Sequence, residues 1–151
     1  MTKRVVLVTG AAGGIGAAIT RALIAEGHEV AAVDRDAAGL ARLGTNRIFP
    51  VTADLADAKD CQNAVASAAK HFGRIDVVIN NAGIGVSSLR PDAEMNLPGI
   101  AELTAETWDL FFAINVRAPM LIAQAALPHM RGFGRIINNT TSFRTMLRVL
   151  P

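Results

Sequence analysis

Short apolar runs alternate with longer amphipathic stretches along most of this chain. Val5–Val8, Val30–Val33, Arg47–Val51, Ile75–Ile79 and Arg135–Ile137 are brief, nearly all apolar and rich in β-branched residues, the pattern of strands buried on both faces. Between the first two, Ile15, Ala18, Ile19, Ala22 and Leu23 recur at the spacing of one helix face, and Cys61, Val65, Ala68 and Phe72 do the same before the fourth. Thr104 followed by Glu106 predicts a capped helix start, with the helix running through Trp108, Phe111 and Val116. Five strands joined by helical crossovers predict an α/β fold, a parallel sheet covered on both faces. No internal repeat, low-complexity tract or linker divides the chain, so one domain over 1–151 is expected. Gly85 to Gly99, with Ser87, Ser88, Pro91 and Pro98, reads as a loop long enough to carry function. Cys61 falls on the apolar face of its helix and reads as inert core.

Composition narrows the class. A chain of 151 residues with 51% hydrophobic and 19% charged residues has ample material for a core and too few charges for disorder. The net charge is +2 with basic residues scattered, which argues against a nucleic-acid surface. Cys61 is the sole cysteine, so no internal disulfide forms and a reducing, cytoplasmic setting is expected. His28, His71 and His129 lack ligand spacing, and no metal is expected. The run Val5–Val8 is too short for a signal peptide, and no stretch reads as long enough to span a membrane.

The first strand leads into Thr9-Gly10-Ala11-Ala12-Gly13-Gly14-Ile15-Gly16 and then a helix. Gly10 suits a tight turn, Gly14 lets backbone approach a pyrophosphate, and Gly16 lets the helix pack close to the sheet. The helix N-terminus offers unpaired N–H groups and a positive dipole end to phosphates. No Gly-Lys-Ser/Thr follows, which excludes a nucleoside-triphosphate loop. Asp34 closes the second strand, 18 residues past Gly16, where a carboxylate hydrogen-bonds adenosine ribose hydroxyls. It also repels a 2′-phosphate and so favours NAD. Neighbouring Arg35 is able to meet such a phosphate, which keeps NADP as the lesser alternative. The expected fold is thus a Rossmann-type doubly wound parallel sheet, ending after about five strands.

Four more features converge on one family. Asp54-Leu55 follows the third strand, Asn80-Asn81-Ala82-Gly83 ends the fourth, and Asn115 lies within the helix begun by Thr104. Gly134-Arg135-Ile136-Ile137-Asn138 leads into Asn139-Thr140-Thr141-Ser142. With the glycine turn, these resemble the short-chain dehydrogenase/reductase family over essentially the whole chain. The turn also fits the Gly10-x-x-Gly13-x-x-Gly16 spacing of the family's extended branch, but Asn-Asn-Ala-Gly favours the shorter one. The resemblance implies an oxidoreductase that moves a hydride between a nicotinamide cofactor and a small secondary alcohol or ketone. It implies cofactor contacts at Thr9, Gly10, Gly14, Ile15, Gly16, Asp34, Arg35, Asp54, Leu55, Asn81, Ala82 and Gly83. Asn81 has an equally good structural reading, as a fastener between strands. For Asn115, an unusual helix-interior residue, the resemblance implies a role in holding a water of a proton relay; a buried Asn satisfied by backbone is the alternative. The catalytic hydroxyl is Ser142 or Thr141, with the count from Gly134 placing it at Thr141. A homo-oligomer is implied for the full-length enzyme, and Trp108, Phe111 and Phe112 read either as its interface or as core.

One part of the family's chemistry is missing. The resemblance implies a tyrosine that transfers the substrate proton and a lysine four residues later that lowers its pKa. The chain contains no tyrosine, and the family spacing puts one about three to five residues beyond Pro151. The expectation is an inactive N-terminal fragment of an oxidoreductase, the dinucleotide-binding domain being incomplete. A non-catalytic dinucleotide-binding sensor or regulatory module is the alternative.

Overall fold

The computed structural model describes residues 2–44, 46–85, 92 and 99–140. Five strands, β1 (Val5–Thr9), β2 (Glu29–Asp34), β3 (Ile48–Thr52), β4 (Val77–Asn80) and β5 (Arg135–Asn138), form one sheet in the order β3-β2-β1-β4-β5. Every pairing is parallel. Helices α1 (Gly14–Ala25), α2 (Ala37–Ala41) and α3 (Ala58–Phe72) fill the first three connections. The last connection carries α4 (Ala105–Phe112), a π turn at Ala113–Arg117 and α5 (Ala118–Ala126). The sequence runs outward from β1 in one direction and then returns to its other side through β4. That reversal opens a crevice at the strands' carboxyl ends, between β1 and β4.

Because strand side chains alternate, each strand feeds two cores. Leu7, Ala31, Val33 and Val78 pack with Cys61, Val65 and Ala68 of α3 and with Ala118, Ile122 and Ala126 of α5. Val6, Val8, Val30, Ala32 and Ile79 pack on the opposite face with Ala17 and Leu40. Cys61 is fully buried, as expected for core. Among the described residues, Asp76 is the buried charged one, only 4% exposed. Its Oδ2 accepts from the Val5 N–H at 2.8 Å and pairs with Arg74 Nε at 3.2 Å, so the start of β4 is stapled to the start of β1.

Three sequence expectations need correction. Of the expected α1 face, Ile19 and Leu23 do pack against the core, but Ile15 is 64% exposed and Ala18 and Ala22 face solvent, and the fully buried positions are Gly16, Ala17 and Thr20. Small residues at those buried positions let the helix lie close to the sheet, with Ile19, Leu23 and Ile24 packing at the flank. The helix begun at Thr104 is capped as expected, with Thr104 Oγ1 accepting from the Thr107 N–H, but it is not continuous α-helix. At the π turn the Ala118 N–H reaches back five residues to the Ala113 carbonyl. The helical run Ala105–His129 is 25 residues long and holds an 18-residue stretch with a mean hydropathy of 1.6, enough by length and composition to cross a membrane; in this fold its α5 part packs into the α3 side of the core. Trp108 and Phe112 stack at 4.6 Å between ring centroids yet are 56% and 46% exposed, so core packing does not account for them. Ile136 and Ile137 of β5, on the sheet edge, are also substantially exposed.

Candidate functional site

The crevice is assembled from four strand ends. After β1 the chain turns at Gly10, whose φ of +64° favours glycine, and a side chain there would meet the Ala82 Cα at 2.9 Å. Gly16 lies tighter still, since an added Cβ would fall 1.9 Å from the Gly10 carbonyl oxygen. Those contacts draw the turn, the N-terminus of α1 and the Asn81–Ala82 strand end into one unit. Thr9, buried beneath the turn, accepts at its hydroxyl oxygen from the Asn81 and Ala82 N–H groups, both at 3.0 Å. Asn81 Nδ2 donates to the Thr9 carbonyl at 3.1 Å and to that of Gly10 at 3.4 Å. Asn139 Nδ2 in turn donates to Asn81 Oδ1 at 3.0 Å, and Asn80 Nδ2 to Asn138 Oδ1 at 2.9 Å. Asn81 thus ties the ends of β1 and β4 to the chain just past β5.

The N-terminus of α1 is bare. Its N-cap is Gly13, no side chain caps it, and no acidic residue sits in its first turn. A Cβ at Gly13 or Gly14 would meet nothing within 4 Å, so the space above Gly14 and Ile15 is open to a ligand. Asp34 stands beside this turn at the end of β2. Its Oδ2 accepts from the Ala12 N–H at 2.9 Å and its Oδ1 from the Asp36 N–H at 3.0 Å, which fixes the carboxylate. After β3, Asp54 Oδ1 accepts from the Ala56 N–H at 3.0 Å. Among the described residues, Asp54 Oδ2 and the Leu55 N–H have no hydrogen-bond partner.

Two adjoining clefts result. A narrow one of ≈ 150 Å³ is lined by Gly10, Asp34, Arg35, Ala53, Asp54, Leu55, Ala82, Gly83, Ile84 and Ile114. A wider one of ≈ 630 Å³ includes Asn81, Ala82, Gly83, Ile84, Asn115, Pro119, Asn138, Asn139 and Thr140. They share Ala82, Gly83 and Ile84, so together they form one trough across the carboxyl ends of the sheet. Asn115 is exposed, not buried, and its side-chain amide pairs with both backbone groups of Ile84, at 2.9 Å to the N–H and 3.0 Å to the carbonyl. Its side chain would be met at 3.3 Å by a Cβ at Gly83. Two residues on, the Arg117 guanidinium donates to the Ala56 carbonyl at 2.6 Å. The structure thus brings together all of the expected cofactor residues at one end of the sheet, together with Asn115. Thr141 and Ser142 lie outside the described residues.

Cys61 sits under the Asp54–Ala56 loop, its Sγ 3.5 Å from the Leu55 carbonyl. Burial pushes its thiol pKa up, against a smaller opposing pull from Arg117, so it is no nucleophile. Ala53, Ile84, Ile114, Pro119 and Arg117 were not anticipated from sequence. The first four are apolar wall residues with no chemical signature, and Arg117 shows its role only through a partner 61 positions away.

The pattern described as short chain dehydrogenase matches residues 4–148. The chain belongs to the short-chain dehydrogenase family. Among its relatives, a D-threitol dehydrogenase from Mycolicibacterium smegmatis is 39% identical over 95% of this chain and 54% of its own length. A short chain dehydrogenase from Burkholderia cenocepacia, solved in complex with NADP, aligns with a TM-score of 0.80 and 34% identity over 99% of this chain and 58% of that one. A 3-ketoacyl-(acyl-carrier-protein) reductase from Brucella melitensis, complexed with NADH, aligns with a TM-score of 0.74 and 31% identity over 83% and 49%. This short-chain dehydrogenase chain spans about half the length of the relatives it matches.

Proposed function

We propose that this chain is the dinucleotide-binding part of an NAD(H)-dependent oxidoreductase acting on a small secondary alcohol or ketone. The observation that carries the reading is the trough itself, which combines a bare helix N-terminus, a fixed carboxylate at Asp34 and two groups at Asp54 and Leu55 that have no partner among the described residues. These suit the successive parts of a dinucleotide. Gly10, Gly14, Ile15 and Gly16 hold the pyrophosphate through backbone N–H groups and the α1 dipole. Asp34 accepts from the adenosine ribose hydroxyls, with Arg35 beside it. The Asp54 carboxylate, an acceptor, and the Leu55 N–H, a donor, match the amino group and ring nitrogen on the adenine edge. Ala82 and Gly83 line the passage to the wider cleft, which Asn115 lines at the substrate end, and Thr141 or Ser142 is assigned the catalytic hydroxyl by the family resemblance. When bound there, the nicotinamide supplies or accepts the hydride.

NAD is favoured over NADP because a 2′-phosphate would meet a carboxylate held in place by two backbone N–H groups. The solved relatives carry NADP in one case and NADH in the other, so the preference rests on Asp34 alone. The sequence contains no tyrosine, so we infer that this polypeptide lacks the phenol that would move the substrate proton and shows no turnover by itself. The exposed Trp108–Phe112 stack is the face we assign to a second copy. A calorimetric titration with NADH and NADPH tests the cofactor reading. NADH binding at least about tenfold tighter supports it; binding of neither dinucleotide overturns it.

A further inference from the structure

We propose that Arg117 is a positioning residue for adenine recognition, an assignment that rests on the dinucleotide reading above. The loop Asp54–Asp57 forms one wall of the narrow cleft and is tied mostly from its own side. The Asp54 N–H donates to Asp60 Oδ2 at 2.9 Å, the Asp57 N–H to the Asp54 carbonyl at 2.9 Å, and Cys61 lies against the Leu55 carbonyl. All three belong to the loop or to α3. Among the described residues, the Arg117 bond to the Ala56 carbonyl is the hydrogen bond that joins this wall to the α4–α5 layer.

The π turn explains why one short segment serves both walls. Residues two apart on a helix face different directions, so Asn115 reaches Ile84 on one side while Arg117 reaches Ala56 on the other. Ile114, buried just before Asn115, lines the narrow cleft. The extra residue of the π turn is a local adjustment of a kind found at functional sites. Arg117 is itself exposed and touches no part of the trough. It acts through Ala56, which sits next to the Leu55 N–H and donates its own N–H to Asp54 Oδ1. The guanidinium therefore sets the spacing between the donor and the acceptor that meet the adenine edge.

This is tested with two probes, NADH and reduced nicotinamide hypoxanthine dinucleotide. Hypoxanthine carries an oxygen in place of the adenine amino group and a protonated ring nitrogen, so it reverses donor and acceptor at that edge. The wild-type chain is expected to bind NADH about tenfold more tightly than the analogue. Arg117→Met, which keeps the apolar stem, is expected to weaken NADH about five- to tenfold and leave the analogue unchanged, so that discrimination collapses. Arg117→Lys, shorter and without the planar fork, should fall between. Equal weakening of both dinucleotides, or undiminished discrimination, overturns the role of Arg117. A fall in Tm above about 5 °C in both variants also overturns it, by making the residue structural. Wild-type protein that binds both dinucleotides equally overturns the adenine-edge assignment and this proposal with it; binding of neither overturns the dinucleotide reading itself.

Discussion

Replacing Gly16 by alanine sets two effects of opposite sign against each other. Alanine is the better helix former by about 1 kcal/mol. Against this, its Cβ would lie 1.9 Å from the Gly10 carbonyl oxygen, 2.7 Å from the Gly10 carbonyl carbon and 2.8 Å from Asn81 Nδ2. Reaching even the 3.0 Å that real Cβ atoms respect requires a shift of 3.0 − 1.9 = 1.1 Å, and two of the three obstacles are backbone. Overpacking of that kind costs about 1–3 kcal/mol or more. Displacing the Asn81 amide from the Thr9 and Gly10 carbonyls costs about another 0.5–1.5 kcal/mol. The net expectation for Gly16→Ala is a loss of about 1–3 kcal/mol, or roughly 3–10 °C in Tm. Gly13→Ala supplies the control. It meets nothing within 4 Å and has a φ of −115°, open to any residue. There the entropic gain and the poorer N-cap nearly cancel, within about 0.5 kcal/mol. Urea unfolding followed by far-UV circular dichroism separates the two variants. If Gly16→Ala matches the wild type within about 0.5 kcal/mol, the close packing of α1 on the Gly10 turn is refuted.

The remaining expectations draw on single side chains. Asp34→Ala removes the carboxylate that would face a 2′-phosphate, so the NADH-to-NADPH affinity ratio should fall at least about tenfold; a titration that finds the ratio unchanged places ribose recognition elsewhere. Asp76→Ala strands the Val5 N–H and is expected to cost about 1–3 kcal/mol in urea unfolding, whereas Asp76→Asn, which keeps an acceptor, should lose less. Burial raises the Cys61 thiol pKa above its ordinary 9.0, so the folded state holds the proton more tightly than the unfolded one. The stability this supplies is intact below pH 9.0 and is lost as pH rises through the folded value. Iodoacetamide should accordingly label Cys61 slowly in the native protein and quickly in urea; equal rates would show that the thiol is accessible.

Some of this molecule is written plainly in its sequence. Val5–Val8 and Val30–Val33 are short, β-branched and flanked by turn residues, so only a buried strand accommodates them. Gly10, Asp34 and the Asn80–Gly83 run are legible for a related reason, since each is a residue type whose backbone freedom or charge suits few positions. The contact face of α1 is legible in part: Ile19 and Leu23 pack as their spacing predicts, but Gly16, Ala17 and Thr20 bury little area and register weakly in any hydrophobic pattern, while exposed Ile15 registers strongly. The π turn was hidden because Ala113–Arg117 is unremarkable as a helical sequence. What fixes it there accompanies partners 31 and 61 positions away, Ile84 for Asn115 and Ala56 for Arg117. Such long-range hydrogen bonds have no periodicity to read.

The strand order also governs the sequence of events in folding. β1 pairs with β2 from Val5 to Glu29, a separation of 29 − 5 = 24 residues, but with β4 from Val6 to Val77, a separation of 77 − 6 = 71. Closing the larger loop costs about 1 kcal/mol more chain entropy than closing the smaller, and it must wait for Val77 to leave the ribosome. The β2-β1 seam therefore zips first, and the β1-β4 seam closes late. Gly10, Asn81 and Ala82 meet across that late seam, so the trough comes into being with the last central join in the sheet. A nascent chain of some seventy residues already carries the glycine turn and Asp34, yet has no opposite wall against which a dinucleotide is gripped.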